Sequence, residues 1–512
     1  MQYVVTFDIG TTAVKGVLVD LEGHAVYSDS INIPTIAENG QQEQNPEVWL
    51  DAFQTISRKF TAFASPADIV GIVMSGQMQD LILLDDQLNP VANAILYSDG
   101  RAVEEAREME SAYGVERFLT VTGNRCDGSL PLPKLMWVKR NRPDLYVRTA
   151  HVLISSKDYV IAKLTGVCCG DVTACSTAGA MDIREKCWDA ELLAAAAVSP
   201  ALFPELHASH DQIGAVLPNA AKDCGYLPGT PVYAGVGDAG ATTLASGIAC
   251  PGQYNINLGT SGWVATVSNA PLTTDAGVFN LAATTENCYI NVVPFLNAGN
   301  VHRWISSVFS KTGETIDYAA VSDLLATSEP GSHGVLFLPY LVGERFPVLD
   351  PDVRGSFVGL TPQTSAADMA RACLEGVAFS IRQGLEMLGT PPETLSLIGG
   401  GGREAVWCQI LAEVLGQEVA VFRNSETLPS LAVASTALLA MGKIHSYAHF
   451  TDSIRSEENR ILYPTDPTVH QMYNSLYDRY RRLYPAQKEL AVGSDIAMEK
   501  GLKSAKPSSS QK

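Results

Sequence analysis

Residues 3–20 read YVVTFDIGTTAVKGVLVD, and this stretch decides the fold prediction for the N-terminal half of the chain. An apolar run of strand length ends near Asp8, a turn of Gly10, Thr11 and Thr12 follows, and a second apolar run begins at Ala13. Glycine lets the backbone approach a phosphate, and the amides and hydroxyls of such a turn are donors to oxyanions. The pattern predicts either a phosphate loop, with Asp8 as a magnesium-associated carboxylate, or an ordinary hairpin with a turn-favouring Asp.

A similar turn occurs in the second half, where residues 257–262 read NLGTSG between two apolar runs. One turn of this kind is weak evidence for a ligand site. Two of them, each opening one half of the chain, favour a pair of loops that bind a polyphosphate across a cleft. Two unrelated hairpins remain the alternative.

Residues 235–240 read GVGDAG and lie between an apolar strand and a helical segment. This GxGxxG pattern is the dinucleotide fingerprint, which requires an acidic residue about 20 positions further on. Residues 239–269 contain no Asp or Glu, so a nicotinamide-dependent oxidoreductase is disfavoured. Asp238 is then interpreted either as a helix N-cap or as a general base that receives a proton from a hydroxyl group.

Further glycines and polar loop residues complete the set of candidates. Residues 399–402 are four glycines between a strand and a helix, which permits close approach of a flat or anionic ligand. Residues 75–79 (SGQMQ) and 97–101 (YSDGR) offer side chains that can bind the hydroxyls of a sugar. Asp99 is equally well interpreted as a helix N-cap, and the spacing of these residues selects no substrate.

Composition limits the class of protein. Over 512 residues the formal net charge is −19, which argues against a nucleic-acid partner because such binding depends on clustered Lys and Arg. Apolar runs are too short to span a bilayer, and the N-terminus does not resemble a signal peptide. The ten cysteines form no CxxC pair. We therefore expect a cytoplasmic protein with reduced thiols and without a membrane partner.

Strand-length apolar runs alternate with helix-period segments, which predicts a mixed α/β fold. Residues 47–64 are predicted to form a helix whose buried face carries Trp49, Phe53, Ile56, Phe60 and Phe63. The predicted organisation is an N-terminal domain over residues 1–247, a C-terminal domain over residues 248–490, and a disordered tail over residues 491–512.

With these motifs in order, the chain resembles the FGGY carbohydrate kinases of the actin/hexokinase/Hsp70 superfamily. The resemblance covers residues 3–485 and rests on nine segments, which are DIGTTAVKGVLVD (8–20), SGQMQD (75–80), YSDGRA (97–102), SLPLPKLMWVKRN (129–141), GVGDAGATTLASG (235–247), NLGTSG (257–262), AGNVHRW (298–304), GERFPVLDPDVRGSFVGLT (343–361) and GGGGREAVWCQILAEVLG (399–416). It implies two ribonuclease-H-like domains around a cleft, with ATP on the C-terminal side and the sugar on the N-terminal side.

The resemblance also implies roles for single residues. Asp238 resembles the catalytic base and Asp8 the carboxylate associated with Mg²⁺. Gly10, Thr11 and Thr12 correspond to the first phosphate loop, and Gly259 and Thr260, with Gly299 nearby, correspond to the second. The adenosine site corresponds to Gly400, Gly401 and Glu404. The sugar site corresponds to Gln77, Met78, Gln79, Asp99 and Asp238. ATP and Mg²⁺ are the implied cofactors. The family is often dimeric, but no apolar stripe here identifies an interface.

Within the family, the segments 75–80, 97–102 and 343–355 most resemble xylulokinases, which phosphorylate the 5-hydroxyl of D-xylulose. Two pairs depart from that pattern, Gln79-Asp80 in place of His-Gly and Tyr97-Ser98 in place of Trp-Asn. Because both pairs fall in the expected sugar pocket, kinases of gluconate, L-xylulose or a polyol remain alternatives. A sugar sensor without catalytic activity is the alternative from another class.

Overall fold

The fold was analysed in a computed structural model, which describes residues 1–273, 277–310, 316–423 and 425–491. The predicted disordered tail lies outside the described residues, except for Ala491 at its start. Among the helices in the described ranges, none is both long and apolar enough to cross a membrane.

Strands and helices occur along the whole described chain. Up to residue 165 they are β1 (Tyr3–Ile9), β2 (Ala13–Asp20), β3 (Ala25–Asn32), β4 (Ile36–Glu38), β5 (Gln41–Gln44), α1 (Pro46–Phe63), β6 (Ile69–Gly76), β7 (Ile82–Leu84), β8 (Ala94–Ile95), α2 (Val103–Tyr113), α3 (Val115–Thr122), α4 (Pro131–Asn141), α5 (Pro143–Arg148), β9 (His151–Leu153) and α6 (Ser156–Thr165). From there to residue 268 they are β10 (Cys169–Asp171), α7 (Val172–Cys175), β11 (Met181–Asp182), β12 (Cys187–Trp188), α8 (Ala190–Ala195), β13 (Glu205–His207), β14 (Gln212–Ala215), α9 (Pro218–Cys224), β15 (Pro231–Tyr233), β16 (Val236–Gly237), α10 (Asp238–Ala245), β17 (Tyr254–Leu258) and β18 (Gly262–Ser268). The remaining elements are β19 (Phe279–Ala282), β20 (Tyr289–Phe295), α11 (Gly299–Phe309), α12 (Tyr318–Ala326), β21 (Leu336–Leu338), β22 (Ser356–Val358), α13 (Ala366–Leu388), β23 (Thr394–Ile398), α14 (Ala405–Leu415), β24 (Glu418–Phe422), α15 (Leu428–Ala440), α16 (Tyr447–Ile454), β25 (Arg460–Tyr463), α17 (Pro467–Tyr480) and α18 (Leu483–Ala491).

The first sheet has the strand order β14-β15-β6-β1-β2-β3, with β16 also paired to β6. Strand β1 runs antiparallel to β2 and parallel to β6. β6 is in turn parallel to both β15 and β16. Both β1 and β6 are largely buried, which explains why they read as nearly continuous apolar runs. The carboxyl ends of β1, β6 and β16 therefore meet at one edge of the sheet.

Helix α1 covers this sheet and agrees closely with its prediction. It begins at Pro46 after the N-cap Asn45, whose side chain accepts a hydrogen bond from the Glu47 amide, as is common at helix starts. Its buried face packs into the core that also contains β1 and β6. The predicted face was wrong at one position, because Phe63 in the last turn is 53% exposed and stacks on Tyr27.

The second sheet has the order β19-β20-β18-β17-β23-β24-β25. The turn between β17 and β18 is the predicted Gly-Thr turn, and the four glycines lie between β23 and α14. Helix α13 begins at a capping box formed by Ser365 and Asp368.

The chain divides into two compact units, each assembled from separate segments. Unit 1 comprises Met1–Asn255, Ala265–Val293 and Val421–Ile461, and unit 2 comprises Ile256–Val264, Pro294–Ala420 and Leu462–Lys512. Helix α15 belongs to unit 1, where Val433 and Ala437 share a core with Val4 of β1 and Val73 of β6. The two compact units therefore do not correspond to the first and second halves of the sequence. The division of the chain into functional halves at residue 247 stays a prediction.

Candidate active site

The carboxyl edge of the first sheet brings the two candidate carboxylates of unit 1 into the same region. In the strand register, Asp8 of β1 lies opposite Ser75 of β6, and Val236 of β16 lies opposite Ser75 on the other side. Asp238 follows directly as the first residue of α10. The Ser75 hydroxyl donates a hydrogen bond of 2.9 Å to Asp8 Oδ1. Side chains far apart in sequence therefore share one strand-end region.

Asp238 does not cap its helix. Gly237 occupies the N-cap position, and Asp238 starts the first turn with a partly exposed side chain. Desolvation by the surrounding protein and the nearby charges of Asp8 and Asp171 raise the pKa of Asp238 to about 7, against an opposing effect of the Ala239 amide. A carboxylate with a pKa near neutrality is well matched to accepting a proton at physiological pH. The interpretation of Asp238 as the helix N-cap is therefore wrong, and its role as the base stays a prediction.

Asp8 and Asp238 are also suited to a divalent cation. Burial raises the pKa of Asp8, although the Ser75 hydroxyl and Lys15 act in the opposite direction. Since the charge of Asp8 also raises the pKa of Asp238, the two carboxylates repel each other when both are ionised. A hard cation would relieve this repulsion, and Mg²⁺ typically binds one or two carboxylates together with waters and phosphates. The donor set at this edge therefore fits Mg²⁺.

The first Gly-Thr turn is held by the sheet and by a glutamine network. The Gly10 amide donates to the Ala13 carbonyl at 3.2 Å, which closes the turn. The Thr11 hydroxyl donates to Gln77 Oε1 at 2.7 Å, and Gln77 Nε2 donates to Gln44 Oε1 at 3.0 Å. Thr12 at the tip is exposed. The turn is thus anchored from within and offers an exposed tip.

The segment after β6 contains three of the predicted sugar ligands in different environments. The side chain of Gln77 is 1% exposed and engaged with Thr11, and Met78 is buried with its sulfur close to Gly237. Gln79 is partly exposed, has a positive φ of 63°, and donates to the Ser129 hydroxyl at 2.7 Å. Of the three side chains, that of Gln79 is the most accessible to a ligand.

Asp99 is buried and all its acceptor positions contact neighbouring donors. Its Oδ2 accepts from the Gln42 amide at 2.7 Å and from Arg101 Nη2 at 2.6 Å, and its Oδ1 accepts from Arg101 Nε at 2.9 Å. Burial opposes ionisation, but the hydrogen bonds from Arg101 and the Gln42 amide outweigh it and lower the pKa of Asp99. Ala102, and not Asp99, is the N-cap of α2. A direct contact of Asp99 with a sugar stays a prediction.

In unit 2, the second Gly-Thr turn is bonded to the start of α11. The Gly299 amide donates to the Gly259 carbonyl at 2.8 Å, and the Asn300 amide donates to the Thr260 carbonyl at 2.9 Å. A Cβ on Gly299 would lie 2.4 Å from the Gly259 oxygen, so only glycine permits this approach. The exposed Thr260 therefore sits beside the start of α11, and the first two amides of that helix hold the turn in place.

The four-glycine segment packs against the end of β17 in the same unit. A Cβ on Gly401 would lie 2.4 Å from Leu258 Cδ2, whereas a Cβ on Gly400 would meet no atom within 4 Å. Glu404 caps α14 by accepting from the Val406 amide at 3.3 Å and also accepts a hydrogen bond from Ser322. The structure thus brings Gly259, Thr260, Gly299, Gly400 and Gly401 into neighbouring positions.

Sequence reasoning missed several buried polar residues near these loops. Lys134, fully buried, donates to the Leu96 carbonyl at 2.6 Å and the Gln79 carbonyl at 3.2 Å, and thereby joins the chain segments around these two residues. Burial lowers its pKa to about 8, while Asp80 acts in the opposite direction. Asp80 accepts from the Tyr97 amide at 3.0 Å. Lys134 and Asp80 both lie inside segments on which the family resemblance rests, but their hydrogen-bonding partners are too distant in sequence to be found from residue spacing.

Two family models match the chain and together cover most of it. The FGGY family of carbohydrate kinases, N-terminal domain, matches residues 3–245, and the FGGY family of carbohydrate kinases, C-terminal domain, matches residues 254–441. The chain belongs to the FGGY family of carbohydrate kinases. The enzyme class predicted from the sequence, a sugar phosphotransferase, is thereby confirmed.

Individual relatives span nearly the whole chain. The xylulose kinase of Bacillus subtilis is 31% identical over 502 residues, covering 96% of this chain and 98% of that protein. The gluconokinase of the same organism is 30% identical over 466 residues, covering 89% of this chain and 90% of that protein. A solved xylulose kinase from Lactobacillus acidophilus is 26% identical and covers 95% of this chain and 98% of its own, with a TM-score of 0.87. The predicted α/β fold of two ribonuclease-H-like domains is confirmed by these similarities.

Proposed function

We propose that this protein transfers the γ-phosphate of ATP to a hydroxyl group of a pentulose, with D-xylulose as the substrate and D-xylulose 5-phosphate as the product. The observation that carries the proposal is the Asp238 carboxylate. It is partly exposed at a helix start, lies in the strand-end region that also holds Asp8, and has a pKa of about 7. The similarity to xylulose kinases over nearly the full chain supports the choice of sugar.

In this proposal the residues of unit 1 bind and activate the sugar. Asp238 accepts the proton of the attacking hydroxyl as its oxygen bonds to the γ-phosphorus, the bond from that phosphorus to the bridging oxygen of ATP breaks, and ADP leaves. Gln79 with neighbouring groups orients the sugar. Phosphoryl transfer depends mainly on alignment of the reacting groups and on stabilisation of the phosphate charge. A single base beside the attacking hydroxyl is therefore sufficient for the proton transfer. The exposed tip of the first Gly-Thr turn donates to phosphate oxygens.

The residues of unit 2 bind the nucleotide. The exposed Thr260 hydroxyl donates to phosphate oxygens, and the open space beside Gly400 admits the adenosine, with Gly401 and Glu404 next to it. Asp8 would hold Mg²⁺, which when bound neutralises charge on the phosphate oxygens. The functional division at residue 247 assigns the sugar and the base to the first half of the chain and ATP to the second.

Gluconate is the second candidate substrate, and two observations favour it. A gluconokinase aligns over most of the chain at nearly the same identity as the xylulose kinases. The pairs Gln79-Asp80 and Tyr97-Ser98 also depart from the xylulokinase pattern. Both candidates share the same phosphoryl-transfer residues, so the choice between them depends on the sugar-binding segments alone.

The test is ADP release coupled to a spectrophotometric readout, with ATP, Mg²⁺ and a panel of D-xylulose, L-xylulose, gluconate and polyols. D-Xylulose is expected to give the highest kcat/KM. Asp238→Ala is expected to lower kcat by at least about 100-fold while ATP binding is retained, since general bases typically contribute 100-fold to 10,000-fold. Asp223→Asn, an exposed carboxylate in the same unit, is the matched control and should behave as the wild type.

Two outcomes would overturn parts of the proposal. Turnover by Asp238→Ala near the wild-type rate would reject Asp238 as the base. A higher kcat/KM for gluconate than for D-xylulose would reject the pentulose assignment and leave the kinase mechanism in place.

A cytoplasmic location is part of the same proposal. All ten cysteines lie in the described residues and are free thiols, most of them buried. Free thiols are typical of proteins in a reducing compartment.

A further inference from the structure

Three buried polar residues of unit 1 connect the strand ends that carry the proposed catalytic groups. We name Ser156, Lys157 and Asp171 the anchor cluster. Each has no solvent-exposed surface. None of them belongs to the motifs on which the sequence prediction rests, and neither the phosphate nor the sugar assignments use them.

The start of helix α6 binds two of the strand ends directly. The Ser156 hydroxyl donates to the Ile9 carbonyl at 2.6 Å, next to the first Gly-Thr turn. The Ser156 amide lies 3.3 Å from the Gln77 carbonyl, at the start of the sugar-loop segment. The approach is close, because a Cβ on Gly76 would lie 2.6 Å from the Ser156 hydroxyl oxygen.

Lys157 and Asp171 extend these contacts to the third strand end. Lys157 Nζ lies 2.8 Å from Asp171 Oδ2 and 2.5 Å from Asp158 Oδ1. Asp171 Oδ1 accepts from the Gly237 amide at 3.3 Å, and Gly237 directly precedes Asp238. The same oxygen accepts from the amides of Thr173 and Ala174 at 3.1 and 3.0 Å, so the carboxylate is fixed at the start of α7.

The charges of the cluster are balanced but costly to bury. Burial acts to lower the pKa of Lys157, yet the carboxylates of Asp158 and Asp171 outweigh it, so the net shift is upwards and the ammonium stays charged. A buried ion pair often stabilises a protein no better than apolar residues of the same volume. A buried cation held between carboxylates therefore calls for a reason other than stability, and the backbone contacts of the cluster supply one.

We infer that the anchor cluster positions Asp238 relative to the first Gly-Thr turn, with Lys157 and Asp171 as positioning residues that hold the backbone at Gly237. The inference rests on the proposed function of Asp238 as the base. The cluster links Ile9, Gln77 and Gly237, which end the strands leading to the phosphate loop, the sugar loop and the base. An in-line displacement depends on the relative placement of these three groups, and a shift of about 1 Å can cost about 100-fold in rate.

Asp171→Asn is the informative substitution. Asn has the shape of Asp, but of its two terminal side-chain atoms only the oxygen accepts a hydrogen bond, whereas the NH₂ group donates. If the oxygen faces the amides of Gly237 and α7, the NH₂ group faces the Lys157 ammonium. In the other orientation the NH₂ group faces the amides. Either way a donor is placed against a donor, and the link between Lys157 and Gly237 is broken.

Asp158→Asn is the matched control. It also changes a buried carboxylate beside Lys157, but Asp158 Oδ2 has no hydrogen-bonding partner among the residues that the structure describes. The amide oxygen of Asn can therefore keep the contact with Lys157, while its NH₂ group takes the place of Oδ2. The contact of Asp171 with Gly237 is unaffected by this change.

The test measures steady-state kinetics with D-xylulose and ATP–Mg²⁺, together with hydrogen–deuterium exchange of the peptide around residues 234–240 in the ligand-free full-length protein. For Asp171→Asn we expect kcat to fall about 100-fold, KM values for both substrates to stay within about threefold, and exchange in this peptide to accelerate. For Asp158→Asn we expect no such loss of kcat and no change in exchange of the peptide. Ser156→Ala, which removes only the hydroxyl contact with Ile9, serves as a milder second variant, with kcat expected to fall about tenfold at unchanged KM.

The outcomes separate the inference from the proposed function. An active wild type, an inactive Asp238→Ala variant and an Asp171→Asn variant with wild-type kcat and exchange would overturn the inference alone. Activity of Asp238→Ala would overturn the proposed function and the inference with it. Should Asp171→Asn fail to fold, wild-type kcat in Ser156→Ala would overturn the positioning role.

Discussion

At the scale of single residues, the proposed chemistry of this protein depends on two carboxylates whose surroundings oppose ionisation. Burial raises the pKa of Asp8, and desolvation together with the charge of Asp8 raises that of Asp238 to about 7. A base must be ionised to accept a proton, and a cation site must be ionised to bind a cation. Protonation of these two carboxylates therefore opposes both proton acceptance and metal binding.

The activity is expected to fall as the pH drops through about 7, because protonation of Asp238 removes the base. Since the acid form is the inactive one, kcat/KM for the sugar should be constant at alkaline pH and should decline tenfold per pH unit below the pKa. The measurement is kcat/KM from pH 5.5 to 9 at about constant ionic strength. A profile without an acidic limb in this range would contradict the assignment.

Asp8→Asn is expected to reduce kcat about 100-fold and to raise the Mg²⁺ concentration needed for half-maximal rate, since removing one charge-stabilising group costs about 100-fold to 1,000-fold. It should also move the acidic limb of kcat/KM to lower pH, because the charge of Asp8 is one of the causes that raise the pKa of Asp238. Titrations with MgCl₂ at fixed ATP measure the first effect. An unchanged Mg²⁺ requirement would remove Asp8 from the metal site.

At the scale of elements, both candidate phosphate loops are tight turns between a strand and the element that follows it. The turn after β17 is fixed by the hydrogen bonds between Gly259 and Gly299 and between Thr260 and Asn300. Gly401 packs on Leu258 at the end of the same strand. Close backbone packing of this kind leaves the turn amides and hydroxyls in fixed positions, which lowers the cost of ordering them when a phosphate binds.

Two glycine substitutions should distinguish a glycine that is needed for backbone packing from one that is needed for contact with the nucleotide. Gly299→Ala is expected to cost about 1–3 kcal/mol of unfolding free energy, because its Cβ would overlap the Gly259 oxygen. Gly400→Ala should leave the unfolding free energy almost unchanged, since its Cβ meets no atom within 4 Å, but it should raise KM for ATP. Chemical denaturation and ATP saturation curves measure the two effects. An unchanged KM for ATP in Gly400→Ala would remove this glycine from the adenosine site.

At the scale of the whole molecule, each compact unit is built from segments that are far apart in sequence. Helix α15, which follows most of the residues of unit 2, packs on β1 and β6 of unit 1. Asp238 and the elements around it belong to unit 1, whereas the glycines proposed to bind the nucleotide belong to unit 2. A ligand that binds one unit is expected to stabilise that unit.

Hydrogen–deuterium exchange of the full-length protein should distinguish the two ligands. The sugar alone is expected to slow exchange in residues 75–80 and 97–102, and ATP alone in residues 257–262 and 399–404, because bound ligand suppresses local opening. Exchange in α17, which belongs to unit 2 and contains none of the proposed ligand residues, serves as the internal control. Protection of residues 257–262 by the sugar alone would contradict the assignment of ligands to units.

Much of the fold and part of the site could be predicted from local sequence. The apolar runs and the glycine turns fix β1, α1 and the two Gly-Thr turns, because these features depend on residues a few positions apart. The motifs containing Asp8 and Asp238 likewise identified the family, which the family models confirmed. Phe63 was assigned to the buried face because the helical period continues to the last turn, but the last turn extends beyond the core.

Only the tertiary structure decided which distant residues meet. Parallel pairing of β1, β6 and β16 places Ser75 between the strands that lead to Asp8 and Asp238. Packing of the neighbouring segments brings Asp171 to the Gly237 amide and Lys157 to Asp171. Strand pairing and burial join segments more than a hundred residues apart, and no local pattern records the partner. The sequence thus determined the chemical groups and the elements that carry them, whereas packing determined their neighbours and therefore their pKa values.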